Sequence, residues 1–218
     1  MKNKTIIEEQ REIWDKLAQS WYNLKQKPFS NELERLVMEW NPGWILDIGC
    51  GHARNLLPFA RRNFICSGID FSPEMVNMAR KFTKENNFHA DLKVAEATKL
   101  PFPANIFDYC ICIAVIHHLT TKKDRKKAFK EIERILKPGG KAYITVWNRL
   151  DFTFFFKPTD GYVDWTLKDK TVKRYYHFFT YWELKDLIKS ADLEIEKDSG
   201  LFGRNIIFMV RKKKYNKS

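Results

Sequence analysis

Apolar residues at Ile6, Ile13, Trp14, Leu17, Ala18 and Trp21 recur at the three-and-four spacing that puts them on one side of a helix. A second amphipathic stretch runs from Asn31 to Trp40, with Asn31 placed to cap it. Beyond Trp40 the period changes. Short apolar runs at Trp44–Ile48, Phe64–Ile69, Leu92–Ala95, Tyr109–Val115 and Lys141–Trp147 predict strands. Helical stretches begin after Asn55 and run from about Pro73 to Glu85 and from about Lys123 to Leu136, so strand and helix alternate as in a parallel α/β sheet. Pro138-Gly139-Gly140 is expected as the turn that stops the third of these helices. After a long irregular segment, Thr180 is placed to cap a helix ending near Ala191. Strands around Leu193–Lys197 and Ile206–Arg211 then close the chain as a pair, which makes the seven-stranded sheet mixed.

A length of 218 residues lets one hydrophobic core serve the whole chain, so a single domain over 1–218 is expected. Its parts are N-terminal helices (1–40), a ligand-binding core (41–147), an insertion (148–179), a last helix with its strand pair (180–211) and a basic tail (212–218). No internal repeat appears. Apolar residues at 44% and charged residues at 30% are ordinary for a globular protein. Thirty-nine Lys and Arg against 27 Asp and Glu leave a formal charge of +12. That excess attracts polyanions at long range, although abundant surface lysine also serves solubility. Cys50, Cys66, Cys110 and Cys112 lack the paired spacing of a zinc site, so they are expected to be reduced and structural, with no metal. With neither a signal core nor a membrane-length apolar run, the expected location is cytoplasmic.

The first strand, Ile45-Leu46-Asp47-Ile48, runs into Gly49-Cys50-Gly51 and then a helix. Gly49 and Gly51 carry no Cβ, so the backbone there can approach a ligand closely. A dinucleotide site would add a third glycine at position 54, where this chain has Arg54. A sulfonium ligand with an amino-acid tail fits that difference better than a dinucleotide does.

With its later motifs, the chain resembles the class I S-adenosylmethionine-dependent methyltransferases. The resemblance implies a Rossmann-like α/β fold with strand order 3-2-1-4-5-7-6 and helices on both faces. It implies that Asp70, in Gly68-Ile69-Asp70-Phe71-Ser72, accepts both ribose hydroxyls, a task suited to a group offering only acceptors. Glu96 in Val94-Ala95-Glu96-Ala97 corresponds to the acidic contact to the adenine amino group, with Ala97 near the ring. The strand Ile111–Ile116, after Phe107-Asp108, resembles the segment beneath the methyl donor, which brings in Ile113. The cofactor set is thus Asp47, Gly49, Gly51, Arg54, Asp70, Phe71, Glu96, Ala97 and Ile113, with S-adenosylhomocysteine as the cofactor's product.

Three segments lie outside the needs of that common fold: Lys25-Gln26-Lys27-Pro28-Phe29, Ala114-Val115-Ile116-His117-His118, and the aromatic, basic stretch 151–179. Together with Val146-Trp147, Asp164-Trp165, Arg174-Tyr175-Tyr176-His177-Phe178 and Arg204-Asn205, they resemble the tRNA wobble-uridine methyltransferases that esterify a 5-carboxymethyl group. There are departures. Lys25-Gln26-Lys27-Pro28-Phe29 stands for that family's Arg-Tyr-Lys-Pro-Trp, and Gly203-Arg204-Asn205 for its Arg-Asp-Asn.

On this resemblance Lys25, Lys27, His117, His177 and Arg204 are candidates to hold the carboxylate or nearby phosphates, Asn205 is a further substrate-side candidate, and Trp147, Tyr175 and Tyr176 are candidates to stack on bases. For each, ordinary packing or a solvated charge is the competing reading. His117 is the candidate catalytic residue, against a plain role for it or His118 in capping the following helix. A basic run, with eight basic and three acidic residues over Lys122–Lys137, and the acid-free last eighteen residues could widen a tRNA footprint. The resemblance further implies a heterodimer with a small zinc-binding activator protein, paired at the third-strand edge near Leu92–Ala95 with Phe82 and Phe88 alongside. A small-molecule O- or N-methyltransferase, or a non-catalytic S-adenosylmethionine-binding module, would share the cofactor half of the sequence.

Overall fold

The structure, a computed structural model, describes residues 4–167 and 170–214. The chain divides into two compact units, Met1–Ala97 with Asp164–Arg174, and Thr98–Val163 with Tyr175–Ser218.

In the first unit, α1 (Ile6–Leu24) starts at Thr5, whose hydroxyl accepts from the Glu8 amide while the Glu8 carboxylate accepts from the Thr5 amide at 2.8 Å. This reciprocal cap satisfies two otherwise orphaned donors. The face expected from the periodicity is buried over Trp14, Leu17 and Ala18, which pack with Met75, and partly buried at Ile13 and Trp21, whereas Ile6 in the first turn is exposed. Helix α2 (Asn31–Glu39) begins one residue earlier than expected, with Ser30 in the cap position and Asn31 already helical. Strands β1 (Trp44–Ile48), β2 (Ile65–Asp70) and β3 (Ala90–Val94) pair in parallel, with the short α3 (Leu57–Ala60) and α4 (Pro73–Glu85) between them. Beyond their first residues β1 and β2 are buried throughout, as strands covered on both faces must be. Pro73 opens α4 where its missing N–H is harmless, and the Ser72 side chain accepts from the Met75 amide.

In the second unit, β4 (Phe107–Ile113) leads through a 3₁₀ turn at Ile116–His118 to α5 (Lys122–Ile135) and β5 (Leu136–Trp147). Strands β4 and β5 are parallel. Pro138-Gly139-Gly140 is not the helix stop that the sequence suggests. Helix α5 ends at Ile135, and the triplet lies in β5 as a bulge, the register jumping from Phe107↔Leu136 to Tyr109↔Lys141. Lys137 is thereby turned onto both carboxylate oxygens of Asp108, at 2.8 and 2.9 Å. Helix α6 (Tyr181–Ser190), capped by Thr180 as expected, precedes β8 (Leu193–Asp198) and β9 (Asn205–Lys212), which run antiparallel to each other, with β9 antiparallel to β5.

The stretch expected to be irregular holds two further strands, β6 (Asp160–Leu167) and β7 (Lys170–His177), which form a separate two-stranded sheet. The other seven are ordered β3-β2-β1-β4-β5-β9-β8, the expected 3-2-1-4-5-7-6 once the hairpin is counted. The basic tail also begins later than expected. Lys212 belongs to β9 and is buried, its ammonium bound by the Asn105 side chain, the Glu133 carbonyl and the Glu133 carboxylate at 2.8–3.0 Å. Tyr215–Ser218 lie outside the described residues. All four cysteines are buried and unbridged. No described helix is long and apolar enough to cross a membrane.

The bulge makes a sharp demand at Gly140. A Cβ there would sit 2.9 Å from the Lys137 carbonyl oxygen and 3.1 Å from those of Phe107 and Asp108, all backbone atoms. Gly140→Ala is expected to lower unfolding free energy by about 1–3 kcal/mol in urea titrations. At Gly200 nothing lies within 4 Å, and Gly200→Ala should cost only the left-handed backbone term, about 1 kcal/mol.

Candidate functional site

Strand β1 delivers Asp47 to the end of the sheet just before three backbone reversals. Gly49 and Gly51 have φ of 68° and 53°, and Ala53 has φ of 64°. The last of these was not legible in the sequence. Arg54 marks the absence of a dinucleotide glycine, yet the third left-handed residue sits one position earlier and is an alanine. Its side chain is fully buried, so tertiary packing holds a conformation that alanine itself disfavours.

Asp70, at the end of β2, closes the bend. One carboxylate oxygen accepts from the Gly51 amide at 2.9 Å and the other from the Ser72 amide at 3.0 Å. Burial raises its pKa to about 6 against the opposing pull of those amides. Asp47 is buried as deeply, with neither carboxylate oxygen hydrogen bonded. Burial first and the neighbouring Asp70 second push its pKa well up, while Arg54 acts the other way. Two close buried carboxylates, one lacking any donor, leave this pocket short of positive charge and N–H or O–H groups.

Arg54 faces the same region but spends a guanidinium N–H on the Lys27 carbonyl at 2.9 Å, while the Asn55 side chain accepts from the Phe29 amide at 3.0 Å. The segment carrying Lys25 and Lys27 is therefore tied to the glycine bend. Lys25 lies 5.9 Å from the centre of the Trp21 ring, and the Trp21 indole nitrogen approaches within 3.8 Å of where a Gly51 Cβ would stand. Trp21 had been read only as helix core. After β3, the Ala95 amide donates to the Asp70 carbonyl at 2.9 Å and sets Glu96 and Ala97 beside the same strand end. Glu96 pairs with Arg11 at 2.9 Å, Ala97 is buried, and Phe71 packs against the Trp14 cluster. His52 is a further missed residue. It is buried edge-on to Tyr22 and Phe82 with neither ring nitrogen hydrogen bonded, and burial lowers its pKa to about 4.

In the second unit Ile113 is the last residue of β4, and the chain then reverses at Ala114, φ 59°, whose amide donates to the Thr145 carbonyl and hydroxyl at 3.0 and 3.2 Å. His117 follows, buried, its Nδ1 accepting from the Trp147 amide at 3.2 Å. An accepting Nδ1 in a neutral ring puts the proton on Nε2. Trp147 stacks on Tyr176 at 4.1 Å and on Phe154 at 4.7 Å, with the Arg204 guanidinium 5.8 Å from its centre. Asn205 is its register partner across β5 and β9.

Three expected substrate contacts belong to the interior instead. Tyr175, Tyr176 and His177 are each less than a tenth exposed. Tyr176 packs against Trp147 and the rings of His117 and His118. The Tyr175 hydroxyl donates to Asp160, and His177 places Nδ1 on Asp160 at 2.8 Å and Nε2 on Glu183 at 2.9 Å. Burial works to raise the Asp160 carboxyl, and the bonds from Tyr175 and His177 outweigh it, leaving it lowered. A basic, aromatic run reads alike in sequence whether its polar atoms face solvent or each other. Asn148, which no motif marked, is fully buried and joins two loops: its amide group donates to the carbonyls of Leu201 and Gly203 at 2.8 and 2.9 Å, and its oxygen accepts from the Leu150 amide at 3.0 Å. Among the described residues, no group of three or more His, Cys, Asp and Glu could hold a metal ion.

A family described as a methyltransferase domain matches residues 46–144. A Schizosaccharomyces pombe tRNA (carboxymethyluridine(34)-5-O)-methyltransferase is 28% identical over 207 residues, covering 83% of this chain and 86% of its own. An Encephalitozoon cuniculi protein named as a methyltransferase is 31% identical over 159 residues, covering 69% and 70%. Vertebrate relatives that share the S. pombe protein's activity name are matched over only about a fifth of their length, 20% and 19% in two of them. Among solved structures, an S-adenosylmethionine-dependent methyltransferase from Clostridium acetobutylicum superposes with a TM-score of 0.73 at 16% identity, covering 96% of this chain and 100% of that one.

Two measurements follow from the bend. Ala53→Gly removes the backbone penalty and is expected to stabilise the ligand-free protein by about 1 kcal/mol, read as a higher midpoint in urea. A carboxyl whose pKa folding raises favours the fold while protonated. Relative to Asp70→Asn, the wild-type protein should therefore lose stability as pH rises from about 4 to about 6 and level off above, by about 3 kcal/mol in all.

Proposed function

The chain belongs to the methyltransferase family, with S-adenosylmethionine as its methyl donor, and from that premise we propose that it esterifies the carboxylate of 5-carboxymethyluridine at the wobble position of tRNA. The observation that carries this is the reach of the S. pombe relative. Its alignment covers 83% of this chain, well beyond the segment 46–144 that the methyltransferase family matches, so the likeness is not confined to the cofactor half.

The residues fit the donor. Bound at the glycine bend, S-adenosylmethionine supplies an electrophilic methyl group and leaves as S-adenosylhomocysteine. The unpartnered oxygens of Asp47 and the Asp70 carboxylate provide acceptors that a cationic, hydroxyl-bearing ligand would satisfy. Asp70 takes the ribose hydroxyls on the lone pairs left by Gly51 and Ser72. Glu96 and Ala97 would serve the adenine, Gly49, Gly51 and Phe71 would shape the crevice, and Arg54 would offset Asp47.

A substrate carboxylate is already ionised at neutral pH, so no side chain need remove a proton. This recasts His117. With Nδ1 engaged by the Trp147 amide and the ring buried, it is a positioning residue that fixes the end of β5, not a base. In the second unit Arg204 and Asn205 are the groups proposed for the substrate carboxylate; in the first, Lys25 and Lys27 are proposed for phosphates of the RNA. The partner in this reading is a small zinc-binding activator that adds a strand at the β3 edge, where Val94 is exposed. Phe82 is removed from that interface. It is core, packed with Tyr22 and Leu57, while Phe88 beside it is partly exposed.

The test is to incubate the chain, with and without the activator, with methyl-labelled cofactor and bulk tRNA, then digest and identify the labelled nucleoside. Label released by mild alkali is expected, as from an ester; alkali-stable label would overturn the reading. Asp70→Ala should weaken cofactor binding by about 10- to 100-fold in calorimetry, the loss of hydrogen bonds to a charged acceptor.

A further inference from the structure

Of the aromatic side chains expected to stack on bases, Tyr175 and Tyr176 are buried and Trp147 is half-buried, whereas four phenylalanines outside that set stand in solvent. Phe152, Phe156 and Phe202 are 97%, 91% and 82% exposed, and Phe155 is 54% exposed. All lie in the second unit, on two loops joined at Asn148, which holds the backbone on either side of Phe202 and the amide of Leu150. The first loop is further fixed by a turn in which the Asp151 carbonyl accepts from the Phe154 and Phe155 amides at 2.8 and 2.9 Å and its carboxylate from the Thr153 amide at 2.9 Å. Rings so displayed on tethered backbone expose apolar surface that a partner must cover.

The charge around them selects the partner. Residues 148–159 and 201–204 carry Arg149, Lys157 and Arg204 against one acid, Asp151, whose carboxylate is spent on its own turn. Flat rings interleaved with cations match unpaired nucleotides, whose bases stack and whose phosphates pair, better than they match an apolar protein face. We infer that Phe152, Phe155, Phe156 and Phe202 form a stacking face for unpaired nucleotides of the RNA that this enzyme modifies. The inference rests on the tRNA reading above and names the surface that would bind the loop around the target nucleotide.

Phe152→Ser, Phe156→Ser and Phe202→Ser, singly and combined, test it with a synthetic anticodon stem-loop bearing 5-carboxymethyluridine, read by fluorescence anisotropy across a salt series. Melting temperature and S-adenosylmethionine affinity serve as folding controls, and because these rings touch solvent both should stay at wild-type values. Each single variant is expected to weaken stem-loop binding about 5- to 100-fold with the salt slope unchanged, since no phosphate contact is lost, whereas Arg204→Gln flattens the slope. A combined variant that binds the stem-loop within twofold of wild type overturns the inference and leaves the tRNA reading standing. A wild-type protein that binds cofactor but no stem-loop, with or without the activator, overturns both. Unchanged RNA affinity with lost binding of the activator would make the face a protein interface and also overturn the inference.

Discussion

The Asp70 carboxylate bonded to the Gly51 and Ser72 amides is the contact from which the rest of the first unit takes its geometry. It joins the glycine bend after β1 to the start of α4, so two segments separated by about twenty residues become one rigid rim. That arrangement has a cost, because a buried carboxylate raised to about pKa 6 is held against its preference for water. Asp47 behind it has no donor at all, and Ala53 keeps a backbone conformation suited to glycine. Three local penalties at one place are the mark of a site shaped for something it must bind.

The second unit solves a different problem. Its aromatic run is arranged so that ordinary polar contacts are used up internally, Tyr175 and His177 on Asp160 and Glu183, and His117 on the backbone of Trp147. Among the groups left exposed on its loops are Arg204 and the bare phenyl rings of Phe152, Phe156 and Phe202. A substrate that already carries its nucleophilic charge asks for that division of labour, since grip and alignment matter more than proton transfer.

The sequence showed most of the scaffold because burial imposes periodicity. The buried face of α1, the strands β1, β2 and β4, the start of α4 at Pro73 and the cap of α6 all follow from local pattern, as does the strand order once the resemblance is admitted. It was less clear where local signals had two outcomes. Pro138-Gly139-Gly140 reads as a helix stop and is a bulge, because a tertiary partner, Asp108, claims Lys137. The β6 and β7 hairpin was hidden in a stretch rich in aromatics and charges without clean alternation. At the site, the glycine bend at Gly49 and Gly51 was legible from the residues themselves, whereas Asp47 and Asp70 entered only through the resemblance. Ala53 and Asn148 were not legible, since neither residue type announces a left-handed turn or a buried tether.

Asn148 has a consequence for how such an enzyme could change its target. It grips the carbonyls of Leu201 and Gly203 and the amide of Leu150, atoms that every amino acid supplies, and touches no side chain of either loop through those bonds. The identities at 150, 152 and 202 are thus decoupled from the geometry that presents them. A lineage, or a directed-evolution library, can rewrite what this surface recognises while the anchoring asparagine keeps the shape constant, so new specificities need not be bought with stability.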